Sequence, residues 1–243
     1  MEEYLLGIDD AGRGPVIGPM VLAGCLIEKS DEESLKSLGV KDSKLLTATR
    51  REKILEEIKK ISKNYEYEVL TAKEISDMMS EGINLNFIEA IAAAKIINKT
   101  RKKYLDLEFT VVLDCPSINT NSWLIKVKEL VGNTKGMKFI CEHKADANYV
   151  SVSAGSIIAK VTRDAEIEKI KKEIKEDFGS GYPSDPKTVQ FIKKHYEEYK
   201  HLGIFREHWQ TLKNILGIDT KKIAVEQKKK ESSPSGDKQK KLF

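Results

Sequence analysis

The chain of 243 residues contains only three cysteines and four histidines. Cys25, Cys115 and Cys141 are odd in number, far apart and never in a CxxC spacing, which argues against a disulfide framework and for reduced, mostly buried thiols. His143, His195, His201 and His208 repeat no zinc-ligand spacing, so a zinc site is not expected and the histidines read as structural or surface residues. Long apolar runs are missing too. The longest, from Val16 to Ile27, is too short and too broken by Gly18 and Pro19 to span a bilayer, and Glu2 and Glu3 stand where a signal peptide would carry basic residues. With 40% hydrophobic and 33% charged residues, a soluble, globular, cytoplasmic protein is expected, with no membrane partner. No internal repeat is visible.

An excess of one charge is also absent from the body of the chain. Residues 219–243 hold eight of the 42 basic residues and four of the 38 acidic ones. That leaves 34 of each sign in residues 1–218, so any affinity for nucleic acid must come from local clustering and not from global charge. The Lys-rich tail, with Ser232-Ser233-Pro234-Ser235-Gly236, has too little apolar surface to offset the entropy of ordering and is expected to be disordered. Its end, Gln239-Lys240-Lys241-Leu242-Phe243, regains apolar character, as a short docking motif or a chance Leu-Phe terminus would.

Strand-like and helix-like stretches alternate ahead of that tail. Apolar or β-branched runs at residues 4–9, 16–28, 65–71, 109–113 and 137–141 predict a sheet of about five strands. Thr49-x-x-Glu52 reads as a capping box opening a helix with Ile54, Ile58 and Ile61 on one face. Residues 84–103 predict a second helix on Phe87, Ile91 and Ala94. Residues 151–175 predict a third on Ala154, Ile157, Ile158 and Val161, with Lys160, Arg163 and Asp164 pointing elsewhere. Asp185-Pro186 supplies an N-cap and a first-turn proline for a helix to about residue 199, and a last helix is expected over 207–215. The pattern is an α/β layered domain, residues 1–180, followed by a helical C-terminal region, residues 181–218.

What the chain does have is a set of acids at strand ends. Asp9-Asp10 closes the first strand, Asp114 follows Val111-Val112-Leu113, and Asp146 lies just past Phe139-Ile140-Cys141. Ligands of open α/β sheets bind at the carboxyl ends of strands, so these acids are placed to share a cleft. Asp9 and Asp10 face opposite ways in a regular strand, and sharing a ligand requires that the strand already be turning, which Ala11-Gly12 allows. Four carboxylates without a histidine or cysteine cluster suit two Mg²⁺ or Mn²⁺ ions, which activate water and stabilise a leaving oxygen in phosphodiester hydrolysis. Gly12-Arg13-Gly14 adds close backbone approach and a phosphate-pairing side chain.

Five blocks carry a family resemblance: GIDDAGRGPVIGPMVLAG at 7–24, VKDSKLL at 40–46, VVLDCPS at 111–117, EHKADANYVSVSAGSIIAKVTRD at 142–164 and GSGYPSDP at 179–186. In order and spacing the chain resembles ribonuclease HII, nearest to its archaeal members, over about residues 4–213. The resemblance implies the ribonuclease H-like fold, a mixed β-sheet flanked by helices with a C-terminal helical region. It implies a monomeric endonuclease that cuts RNA in RNA–DNA hybrids and 5′ of a lone ribonucleotide in DNA, leaving 5′-phosphate and 3′-hydroxyl ends, with roles in replication and ribonucleotide removal.

By the same resemblance Asp9, Asp10, Asp114 and Asp146 hold the divalent metals. Gly12, Arg13 and Gly14 read the 2′-hydroxyl and adjoining phosphate largely through backbone groups, as the only group separating a ribonucleotide from its deoxy counterpart requires. Tyr182 packs at the DNA side of the ribo-to-deoxyribo junction. Asp10 is the departure, because the family pattern is DEAGRGP and Asp is one methylene shorter than Glu. Ser43 and Lys44 fit a phosphate-contacting loop, or Ser43 caps the next helix and Lys44 is solvated. Lys144 and Lys160, with Arg50 and Arg51, either line the duplex path or form a solvated face, and His143 reads as structural. Archaeal relatives can end in a sliding-clamp docking motif, of which Gln239, Leu242 and Phe243 make a shortened version. Two other readings stand beside this one: another metallonuclease of the same fold, such as a Holliday-junction resolvase or transposase-like enzyme, which should lack the Gly12-Arg13-Gly14 and Tyr182 blocks, and a hybrid-binding protein whose metal site Asp10 weakens.

Overall fold

The run Leu5-Leu6-Gly7-Ile8 is apolar on both faces, and in the computed structural model it becomes the central strand β1 (Tyr4–Ala11) of a five-stranded mixed sheet. The structure describes residues 2–40 and 46–218. β2 (Met20–Glu28) runs antiparallel to β1 from Tyr4↔Glu28 to Ala11↔Val21, and β3 (Asn64–Leu70) extends the sheet beyond β2. On the other side β4 (Phe109–Asp114) lies parallel to β1, and β5 (Met137–Glu142) parallel to β4, giving the order β3-β2-β1-β4-β5.

Side-chain alternation along β1 feeds two apolar layers. Leu6 and Ile8 join Leu22, Val111 and Leu113 against α4 (Leu85–Lys103) and α5 (Thr120–Val131). Leu5 joins Val21, Ala23 and Cys25 against α2 (Ala48–Ile61) and α7 (Val150–Ile174). Each fully buried Leu, Ile or Phe contributes about 1.5–3 kcal/mol. Surface pairs such as Lys59–Glu56 contribute about 0–1 kcal/mol, so the layers and not the ion pairs hold the sheet. The approach of α7 to β1 depends on Gly7: a Cβ there would stand 2.2 Å from the backbone carbon of Ser151 and the nitrogen of Val152.

A third apolar cluster fastens the C-terminal helices α8 (Pro186–Tyr199) and α9 (Gln210–Ile215) to the segment after β1. Val16 and Ile17 meet Ile167, Phe178, Phe191 and Phe205. The run at 16–28 is therefore a strand only from Met20. Val16 N–H donates to Gly181 O at 2.8 Å, Gly18 N–H to Ile204 O at 2.9 Å, and Arg206 N–H to Val16 O at 3.0 Å, which ties residues 16–18 to the C-terminal region.

Several local expectations change. α2 is capped by Thr47, whose hydroxyl accepts from Arg50 N–H, and Thr49 lies inside the helix. A capping box does form at Thr71 and Glu74, opening α3 (Ala72–Ser80). α1 (Glu32–Ser37), α3, α5 and the short α6 (Ala145–Asn148) are additional helices. α9 starts at Gln210, because Glu207–Trp209 form a turn in which Trp209 N–H donates to Arg206 O. Phe87, Ile91 and Val161 are only half-buried. Arg163, expected off its helix's apolar face, is nevertheless buried at 6% exposure.

Candidate active site

Parallel pairing delivers the acids to one edge. The β1–β4 ladder ends at Ile8↔Leu113, so the next residues, Asp9 and Asp114, fall side by side, and Asp114 in turn pairs with Glu142 at the end of β5. Asp9 faces α7, where it meets the Ser156 hydroxyl, and Asp10 faces α4, where Glu89 lies. β1 stays paired with β2 through Ala11, and the chain leaves the strand at Gly12, whose φ is +85°. The two carboxylates converge because β1 has no ladder partner on the β4 side beyond Ile8, which leaves a narrow crevice walled by Asp9, Asp10, Glu89 and Asp114 with Leu22 and Trp123.

Asp146 reaches this edge on α6. Ala145 N–H, the residue before it, donates to Asp114 Oδ1 at 3.0 Å, and the Ser153 hydroxyl donates to the Asp146 carbonyl at 2.5 Å. Asp146 itself is half-buried and is not among the crevice walls. Lys144 enters α6 in the left-handed region at φ 58°, exposed, and His143 Nδ1 lies 3.1 Å from Cys115 O in a structural contact.

The crowding shows in the proton affinities. Burial, then the neighbouring Asp10, raise Asp9 well above the usual carboxylate range, against the lowering effect of Ser156. Burial and Glu89 push Asp10 up to about 7, while Arg13 acts in the opposite direction. Burial raises Glu89 to about 7, partly offset by Arg13. Carboxylates that disfavour one another's charge are a donor set that a divalent cation would relieve, and oxygen-only ligands suit a hard ion. Among the described residues no three His, Cys, Asp or Glu side chains already stand in a ready-made coordination geometry.

Beside the crevice lies a cleft of about 450 Å³, lined by Asp10, Gly12, Arg13, Gly14, Lys160 and Tyr182 among others. Gly12 has φ +85°, and a Cβ on it would stand 2.3 Å from Arg163 Nε. Arg163 lies with its guanidinium 5.2 Å from the Tyr182 ring centre, and that ring faces Gly14. The fully buried Arg206 donates to Gly12 O at 2.6 Å, Arg13 O at 2.8 Å and Gly18 O at 3.1 Å. Burial and Arg163 lower Arg206 to about 9, which leaves it charged at neutral pH. The Arg13 side chain turns to α4, ion-paired with Glu89 and donating to Asn86 Oδ1 at 2.7 Å.

Lys160 Nζ lies 3.1 Å from Ser156 Oγ, the hydroxyl that also bonds Asp9. Arg51 lines the cleft and pairs with Asp164 at 3.0 Å, whereas Arg50 is exposed and is not among its walls. Ser43 and Lys44, and Gln239, Leu242 and Phe243, lie outside the described residues. Glu89, Asn86, Ser156 and Arg206 belong to the site without having been singled out in the sequence. Glu89 carried a signal: with Ala92, Ala93 and Ile96 it sits at i, i+3, i+4 and i+7 of a buried stripe, where a carboxylate needs a partner.

The chain is similar to known proteins in both sequence and fold. The family model described as Ribonuclease HII matches residues 6–212. A ribonuclease HII of Methanocaldococcus jannaschii is 45% identical over 223 residues, covering 87% of this chain and 94% of that protein. Among solved structures, the ribonuclease H2 from Pyrococcus horikoshii OT3 superposes with a TM-score of 0.76 at 37% identity, covering 88% of this chain and 97% of the other. The PCNA:RNase HII complex from Archaeoglobus fulgidus gives 0.74 at 38% identity, covering 85% and 95%.

Proposed function

The chain belongs to the ribonuclease HII family, and from that premise we propose that the crevice and the adjoining cleft cut DNA duplexes 5′ of an embedded ribonucleotide. The protein is an endoribonuclease of RNA–DNA hybrids, a hydrolase that depends on divalent metal. The observation that carries the finer reading is the junction of the acid crevice with the Gly12–Gly14 loop, since Asp10 walls both.

In this reading Asp9, Asp10, Asp114 and Asp146 hold Mg²⁺ or Mn²⁺, which supply water activation and stabilisation of the leaving 3′ oxygen. The backbone of Gly12 to Gly14, held open by Arg206 and admitted by the absent side chain at Gly12, reads the 2′-hydroxyl. Tyr182, propped by Arg163, stacks on the deoxyribose side of the junction. Lys160 and Lys144, with Ser43 and Lys44, steer phosphates. Water adds to phosphorus, the bond to the upstream 3′ oxygen breaks, and the products carry 5′-phosphate and 3′-hydroxyl ends. The C-terminal Gln239, Leu242 and Phe243 dock on a sliding clamp, a partner that the Archaeoglobus complex suggests. The protein acts as a cytoplasmic monomer. No helix among the described residues is long and apolar enough to cross a membrane.

Incubation with Mg²⁺ and a duplex carrying one ribonucleotide tests this: a single cut 5′ of that residue is expected, and equal cleavage of an all-DNA duplex would sink the reading. Asp10 favours one further statement. Its carboxylate is a methylene shorter than the family's Glu, so Asp10→Glu is expected to raise kcat with KM little changed. An unchanged rate would show that the shorter acid is tolerated.

A further inference from the structure

Glu89 is the most deeply buried carboxylate among the described residues, at 1% exposure. Removing a carboxylate from water is tolerated only where it is paired, and the partner here is Arg13. The two Nη atoms of Arg13 are divided over one helical turn of α4, Nη1 on Glu89 Oε2 and Nη2 on Asn86 Oδ1 at 2.7 Å. Asn86 is fixed in turn, its carbonyl accepting from Trp123 Nε1 at 2.7 Å. Glu89 Oε1 has no hydrogen-bond partner among the described residues, so what this carboxylate holds, it holds through Arg13. Arg206 in addition grips the carbonyls of Gly12 and Arg13. The loop is thus clamped by its side chain and by its backbone at once. A guanidinium whose fork is taken up this way is committed to the protein.

We propose that Glu89, with Asn86, is the positioning residue of the Gly12-Arg13-Gly14 loop, acting through the Arg13 guanidinium. The side chain of Arg13 then sets the shape of the loop, while phosphate charge is met by other groups. This rests on the reading of that loop as the reader of the ribonucleotide. The physical content is geometric: backbone N–H groups discriminate a 2′-hydroxyl only if they are held to within a fraction of an ångström.

Arg13→Ala, Glu89→Ala, Asn86→Ala and Glu89→Gln are compared with wild type in binding to the one-ribonucleotide duplex and to all-DNA duplex, with Ca²⁺ replacing Mg²⁺, across a salt series. Hydrogen exchange at residues 12–14 is read in the free protein. Expected are a loss of about ten- to a hundredfold in preference for the ribonucleotide in the three alanine variants, an unchanged slope of affinity against salt, faster exchange confined to the loop, and recovery in Glu89→Gln. A salt slope shallower by about 0.9 in Arg13→Ala marks a lost phosphate contact. That result, with preference and loop exchange intact in Glu89→Ala, overturns the proposal. If Glu89→Ala does not melt cooperatively, Asn86→Ala decides by the same two readouts. A wild-type protein without preference for the ribonucleotide refutes the functional reading instead, and the loop exchange still reports on the brace.

Discussion

Asp10 is under opposing influences: Glu89 and Asp114 raise its proton affinity, and Arg13 and Arg206 lower it. Its folded-state proton affinity lies near 7 against an ordinary 3.8, and that of Asp9 is raised as well. The sign follows directly. Between about pH 4 and pH 7 the folded protein holds more protons than the unfolded chain, so in chelator stability falls as pH rises through that window. Melting in EDTA is expected to give a higher Tm at pH 5.5 than at pH 7.5, with a smaller difference in Asp10→Asn. Added Mg²⁺ should raise Tm at pH 7.5, because it binds the folded site. A pH difference that is the same in wild type and Asp10→Asn would contradict the assignment. The presence of these acids was legible in the sequence, since each follows an apolar strand. Their mutual effect was not, because the convergence of opposite faces depends on where the β4 ladder stops.

At the scale of elements, the contact of β1 with α7 matters most. It brings Ser156 to Asp9 and needs a residue without a side chain at position 7. Gly7→Ala would drive a Cβ into backbone atoms that no rotamer change can move. A loss of about 3 kcal/mol or more is expected in urea unfolding, and a loss below about 1 kcal/mol would mean that α7 slides freely on the sheet. Strands were readable from runs of Val, Ile and Leu, and α8 from Asp185-Pro186. The segment 16–19 misled because its apolar residues are satisfied by Phe205 and Phe191 and not by the sheet. α5 carried a readable stripe, Trp123, Val127 and Val131, that is buried against the core.

For the whole molecule, charge and architecture divide the work. Residues 1–218 are formally neutral, and the net positive charge resides in residues 219–243. Removing residues 237–243 is expected to leave cleavage of the one-ribonucleotide duplex unchanged and to weaken binding to the protein's own sliding clamp. Equal clamp binding by both forms would remove that partner. By itself the sequence determined the family, the strand order along the chain and the alternation of layers, because these are written in residue type and local period. Tertiary structure alone decided that Arg13 turns to Glu89, 76 residues away, and that Arg206 grips the Arg13 carbonyl across 193 residues. Such meetings depend on how three apolar clusters dock α4, α7 and the C-terminal helices around β1, a sum over many distant contacts that no local pattern records.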